Sequence, residues 1–477
     1  MNPASASVAM TDIQRTRIVV ALIIGAFVAV LNETMIQVAF PDLMRDFSAP
    51  LMTVQWLATV YMLVVGTLVP VTALLQQWFT TRQMFLSATI FFLVGTIVCG
   101  IAPVFSVLLI GRAVQALGTG LMLPVMMNTM MNIFPPERRG SAMGMIGLVV
   151  MFAPAIGPTI AGLIIDWLSW RWMFYLLIPI AAFSVLFAAA YLRNVSDITK
   201  PKVDHLSIVL SCVGFGGLVY GLSAAATNFS SETWGSLIVG SIALVLFVYR
   251  QLSITAPILE LRTFRYSTFS IAMVLVLLLM MVMFSAGLLL SQFMLIVLGM
   301  TAFEVGLCGL LPGIVYAAMS LISGKLFDRY GVKVLIVPGF VLILLSLWAF
   351  TWLDKDTTVL YIIAMNVLLS LGIPLVITPV QTAGLNTLPR NLFPHGAAIV
   401  NTLMQIAGAI GIVTFTGIVS KVSNDYLESL GNTPVLSDQL SGFSAGIQSA
   451  FWWAFIVGAA ALVVGMFIKR AQPSKEV

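Results

Sequence analysis

Apolar residues in this chain come in long runs separated by short polar stretches. A helix that crosses a bilayer needs about 20 predominantly apolar residues. Runs of that kind lie at 18–39, 53–75, 83–102, 105–133, 140–165, 171–192, 206–226, 234–251, 268–298, 304–324, 333–353, 358–386, 396–420 and 447–469, fourteen in all. The pattern predicts an all-α polytopic membrane protein. One polar position breaks it conspicuously: LNETMIQVAFP (Leu31 to Pro41) sets Glu33 well inside the first run.

Composition agrees with the pattern. Of 477 residues, 60% are hydrophobic and 9% charged, and mean hydropathy is +1.06. Soluble proteins carry about 25% charged residues. The net charge of +5 does not point to nucleic acid, because the cations sit in short loops, where they orient helices. With the N-terminus in the cytoplasm, eighteen of the 23 Lys and Arg fall on the inner side; Arg45, Arg171, Lys355 and Lys421 fall outside, and Arg112 lies within a helix. That bias predicts a multi-pass protein of the cell membrane with both termini cytoplasmic. His205 and His395 are placed at loop edges, and Cys99, Cys212 and Cys308 stand alone in apolar segments, as reduced packing residues. Arg15 and Arg17 precede an apolar run too long for a cleaved leader.

The chain also repeats itself. PVMMNTMMNIFPPERRG (Pro124 to Gly140) is echoed by PVQTAGLNTLPRNLFPHG (Pro379 to Gly396), and ALLQQWFTTRQMF (Ala73 to Phe85) by GKLFDRYGVKVL (Gly324 to Leu335). The simplest division is a six-helix bundle over 1–200, two inserted helices and linkers over 201–267, and a second six-helix bundle over 268–477. Duplicated halves are common in secondary transporters, whose sites form where the repeats meet.

GKLFDRYGVK resembles the loop motif G-x-L-x-D-R-x-G-x-R/K of the major facilitator superfamily, through Gly324, Asp328, Arg329, Gly331 and Lys333. Three more stretches resemble the fourteen-helix drug:proton antiporters of the QacA/EmrB type: LNETMIQVAFP, GRAVQALGTG (Gly111 to Gly120), and APAIGPTIAG (Ala153 to Gly162). WRWMFYLLIP (Trp170 to Pro179) is similar to their usual start of helix six. The resemblance spans the chain in order and implies a major facilitator fold. Three departures stand out. Asn32 holds the place of the family's first-helix acid, which moves to Glu33, about 100° around the helix. Ala116 follows Gln115. In the first-half loop, Ala73, Gln77, Trp78 and Thr80 replace Gly, Asp, Arg and Gly, so a charge-based inner latch should rest on Asp328, Arg329 and Gly331 alone.

Glu33 is the only acidic residue well inside a span. It lies sixteen residues beyond Arg17, a helix rise of about 24 Å, and Arg112 lies about 12 Å below the outer end of helix four, so the two share a depth. A carboxylate inside a membrane is a functional candidate by default. Burial favours the neutral carboxyl and a nearby guanidinium the charged one, so a group between these influences loads and releases a proton as its exposure changes. Gln37 and Gln115 are placed to hydrogen-bond the unpaired state. The other reading is an ion pair that only fixes helix packing. Inward proton movement supplies about 2.3 kcal/mol per 100 mV.

Pro154, Gly157, Pro158 and Gly162 predict a bent, closely packed fifth helix. In the resembled family this motif accompanies antiporters, which implies export. Gln37, Gln55, Trp56, Tyr61, Gln115, Asn128 and Gln292 are the candidates for a central substrate cavity. The expected function is proton-coupled efflux of amphipathic, often cationic or zwitterionic, small molecules by a monomer that needs the proton gradient and neither cofactor nor metal. Export of a native metabolite, lipid or peptide is the alternative. A membrane-embedded enzyme is a distant third, since the chain has no HExxH, no Cys–His cluster and no Walker lysine loop.

Overall fold

A computed structural model describes residues 12–195, 198–200, 204–225, 230–254, 257–430 and 435–468. The loop cations Lys202, Lys469, Arg470 and Lys475 lie outside the described residues. Fourteen helices are long and apolar enough to cross a membrane. In chain order the α-helices are α1 (Asp12–Val38), α2 (Phe40–Asp46), α3 (Leu51–Trp78), α4 (Thr81–Gly100), α5 (Phe105–Ile133), α6 (Arg139–Trp167), α7 (Trp170–Tyr191), α8 (His205–Ala225), α9 (Ser231–Ser253), α10 (Ser267–Ile296), α11 (Ala302–Tyr330), α12 (Val332–Phe350), α13 (Val359–Asn386), α14 (Phe393–Ser429) and α15 (Leu436–Met466). All but the short α2 are spanning candidates.

Hydrocarbon offers the backbone no hydrogen-bond partners, so apolar runs of this length close their own ladders as helices. Polar caps mark several starts: Thr80 and Gln83 form a capping box on α4, and Thr301 and Glu304 form another on α11. Between α11 and α12 the chain reverses at Gly331, whose φ of 78° suits glycine.

Several boundaries differ from the apolar pattern, among them the start of α15 at Leu436, eleven residues before the expected 447. The amphipathic turn α2 was absent from that pattern, and α14 runs nine residues past the expected 420, through the polar stretch to Ser429. Apolar length measures the part of a helix in the membrane, not the whole helix.

Helices α1 and α3–α7 pack into one bundle and α10–α15 into the other. The bundles meet along α6 and α11 on one side and along α3 and α14 on the other. The pair α8–α9 packs on itself and lies against α3 and α14. The chain is therefore an all-α membrane protein of two six-helix bundles with an added helix pair.

Glycines make the α6–α11 seam close. A Cβ on Gly324 would strike the Gly140 carbonyl, one on Gly144 the Ser320 carbonyl, and one on Gly313 the Ala155 side chain. Small residues let helix backbones approach where no hydrophobic drive exists between helices in lipid.

Candidate functional site

The first site centres on Arg112. Helix α5 delivers it because α4 and α5 are nearly in backbone contact: a Cβ on Gly111 would lie 2.6 Å from Cys99 Sγ, and one on Gly95 2.5 Å from the Gln115 nitrogen. That approach buries Arg112 and Gln115 completely. Arg112 Nη1 donates to Asn32 Oδ1 at 2.6 Å and to Gln115 Oε1 at 3.0 Å, and Nε donates to the Leu57 carbonyl at 3.5 Å. The guanidinium carbon lies 4.2 Å from the centroid of the Tyr61 ring. Tyr61 donates its hydroxyl to Thr119 Oγ1 at 2.6 Å, and Gln115 Nε2 donates to Thr96 Oγ1 at 2.9 Å. A buried cation is thus held by neutral acceptors and an aromatic face, a desolvated setting in which a cation–π contact is worth about 2 kcal/mol.

The expected pairing of Glu33 with Arg112 is not made. Asn32 takes the guanidinium, and Glu33 has neither a hydrogen bond nor an ion pair among the described residues. The cause is helix rotation: neighbouring residues are about 100° apart, so only one of the two faces α5. Around α1, Asn32 meets α5, Ala29 offers its carbonyl to Tyr61 of α3, and Thr34 and Phe27 meet α6 through Gly157 and Phe152. Glu33 and Gln37 fall on the arc between α3 and α6, the two helices that cross to the other bundle. Glu33 is half-buried there, and Gln37 is exposed and makes no hydrogen bond to it. The carboxylate therefore borders the seam between the bundles, with the Arg112 cluster behind it.

The second site closes the seam at the end where α1 begins and α15 finishes. Asp328 accepts from the Gly140 nitrogen at 2.8 Å, the Ser141 nitrogen at 2.9 Å and Ser141 Oγ at 2.5 Å. The carboxylate caps the start of α6, where free N–H groups and the helix dipole favour an anion. Arg329 and Lys333 are not in this clasp: both are exposed, and the Arg329 guanidinium lies over its neighbour Tyr330. Asp328 is held by backbone and serine hydrogen bonds, and the cation whose charge acts on it is Arg138 rather than Arg329 or Lys333.

The echoed segments meet at the same end. Gln77 Nε2, in the place of the missing first-half acid, lies 3.0 Å from His395 Nε2, and His395 Nδ1 accepts from the Glu260 nitrogen at 3.2 Å. Arg139 Nη1 donates to Asn386 Oδ1 at 3.0 Å across the seam. His395 and Arg139 each precede the matching glycine of the two echoed segments. His395 begins α14, as its loop-edge position suggested, but it is buried, and the pairing with Gln77 was missed. The repeat was the signal that pointed to it.

The seven cavity candidates do not gather in one place. Tyr61 and Gln115 belong to the Arg112 cluster, and Asn128 donates to Gln76 Oε1 at 2.7 Å in a packed α3–α5 contact. Trp56 stacks on Tyr220 of α8, 5.9 Å between centroids. Gln55 and Gln292 are half-buried at separate places. Of the helix-five motif, Pro154 and Pro158 lie inside α6, Gly157 seats Thr34 of α1, and Gly162 faces Phe303 of α11. No group of three or more metal-ligating side chains is present among the described residues.

A two-bundle helical fold whose seam carries both a membrane-embedded carboxylate and a clasp is that of a secondary transporter rather than an enzyme. The family model of the Major Facilitator Superfamily matches residues 22–412, and the chain belongs to that family. It is 45% identical over 461 residues to the lincomycin resistance protein LmrB of Bacillus subtilis, covering 95% of this chain and 96% of that one. It is 28% identical to the multidrug transporter protein MdtP of the same organism, over 91% of this chain and 81% of that one. The human organic anion transporter MFSD10 has a similar fold, with a TM-score of 0.69 at 12% identity, covering 95% of this chain and all of that one.

Proposed function

We propose that this transporter exports amphipathic drugs, lincosamides among them, in exchange for protons. The observation that carries the coupling is the position of Glu33: partnerless, on the α1 arc that borders the seam, beside a guanidinium already satisfied by Asn32 and Gln115. A carboxylate locked in an ion pair is held deprotonated, whereas one without a partner takes up a proton when buried and gives it up when exposed beside a fixed cation. The name of the LmrB relative supports the substrate class.

The loop-charge bias places the clasped end in the cytoplasm. In that orientation Asp328, Gln77, His395, Arg139 and Asn386 seal the inner side, and Glu33 sits toward the outer side. Proton loading from outside and drug release there precede an inward reopening that rocks the bundles about the seam. The chain acts as a monomer in this scheme, with both termini cytoplasmic.

The test is lincomycin transport in everted vesicles under an imposed pH gradient. Glu33→Gln, which keeps the shape and removes the exchangeable proton, should insert normally and lose gradient-driven uptake by about a hundredfold. Full uptake by this variant refutes the proton role.

A further inference from the structure

The inserted helices have no part in the clasp or the Arg112 cluster, yet α8 walls a cavity. The void, about 110 Å³, opens where α3, α8, α10 and α14 meet, and its lining includes Met62, Val219, Leu222, Phe284, Met404 and Gln405. Both bundles contribute to it, so it lies on the seam that must change as the transporter switches sides. Helix α8 is pinned to α3 on either side of it. Trp56 stacks on Tyr220 above, and below, a Cβ on Gly216 would lie 3.0 Å from Thr67 Cγ2. On α14, Gly408 and Ala409 keep the wall small, and Gly408 seats the Phe284 ring.

We infer that this cavity binds the apolar moiety of the exported amphiphile, and that α8 is therefore part of the substrate pathway rather than a lipid-side appendage. The inference rests on the export reading above. The cavity is open at one side, where Met62 and Phe284 are exposed, and its lining is apolar apart from Gln405, so an apolar group can enter and be buried there. Methionine walls adapt to varied guests, and the one amide, Gln405, offers a single polar anchor. Met62 follows Tyr61, whose ring lies against the Arg112 guanidinium, so one turn of α3 touches both the cavity and the buried cation. A guest in the cavity thereby reaches the coupling site through one rigid element.

Leu222→Trp and Met404→Trp fill the cavity from opposite walls. Each should lower lincomycin efflux from cells lacking other pumps by about tenfold, at equal amounts in the membrane. Ile242→Trp, on the exposed face of α9, should leave it unchanged. Unmodified efflux in both cavity variants overturns the inference and leaves the function standing. A second measurement needs no tight packing of a large ring. In a chain carrying Cys99→Ala, Cys212→Ala, Cys308→Ala and Met404→Cys, in nanodiscs, hexyl methanethiosulfonate should modify the new thiol about tenfold more slowly when lincomycin is present. A rate indifferent to lincomycin but sensitive to lipid chain length makes the cavity a lipid site and also overturns the inference. If the unmodified protein exports no lincomycin, the functional reading fails separately. The thiol measurement then runs with tetraphenylphosphonium, an apolar cation, where protection supports the inference and its absence overturns it.

Discussion

Replacing Asp328 with Asn isolates what the clasp contributes to holding the seam shut. The carboxylate accepts two backbone N–H groups at 2.8 and 2.9 Å and one hydroxyl at 2.5 Å. Asparagine keeps one oxygen, so Gly140 or Ser141 retains its bond while the other N–H faces an NH₂ donor. The loss is one charge-assisted hydrogen bond, worth about 1.5–3 kcal/mol, together with the charge–dipole attraction at the start of α6, about 0.3–1 kcal/mol where partly exposed. Relaxation and water recover part of this, which leaves about 2 kcal/mol. A change of that size moves the ratio of shut to open seam roughly 30-fold. The measurement is hydrogen exchange of the amides at the start of α6, together with the distance between spin labels on Lys325 and Arg138 by pulsed electron resonance. Exchange should accelerate by about the same factor, and a longer-distance population should appear. Ser141→Ala, which removes only the hydroxyl, should show a smaller shift in the same direction. If Asp328→Asn leaves both exchange and distances unchanged, the clasp does not hold the seam and the reasoning fails.

Asn32→Leu strips the shortest neutral acceptor from a fully buried guanidinium, so thermal unfolding in detergent should show a loss of about 1.5–3 kcal/mol; an unchanged midpoint contradicts the geometry. Where the inserted pair begins and ends, hydrogen bonds from the Arg250 side chain at 2.7 and 3.0 Å, with Ser207 at 2.6 Å, hold Asp204 down to about 2 from an ordinary 3.8. A lowered folded value means the clamp contributes fully above pH 3.8 and is lost as pH falls toward 2. The pair is partly solvated, so Asp204→Asn should cost no more than about 1 kcal/mol, read as faster proteolysis near residue 204 with efflux retained. Equal proteolysis of the variant and the parent refutes the clamp.

The fourteen spans, the two-bundle plan and the Gly324–Asp328 motif were legible in the amino-acid order because each depends on local quantities: apolar length, loop charge, and residue spacing on one helix. Glu33 and Arg112 were legible as candidates for the same reason, since a charge inside an apolar run is conspicuous without any fold. The repeat carried information as well, since it aligns His395 with Arg139 and Gln77 with Asp328. The cavity candidates were not legible as a group. Gln, Asn, Tyr and Trp in a membrane helix serve packing contacts as readily as substrate, as Asn128 on Gln76 and Trp56 on Tyr220 do.

What this chain determines by itself is how many spans it forms and which apolar segments make them, because burying apolar length and satisfying backbone groups are settled within each segment. Only the tertiary structure decided that Asn32 rather than Glu33 holds Arg112, that Asp328 binds the start of α6 without Arg329, and that α8 closes a cavity on the seam. Each of these turns on the rotation of a helix about its own axis. One residue amounts to about 100° of that rotation, and it is set by which glycines let neighbouring backbones come close.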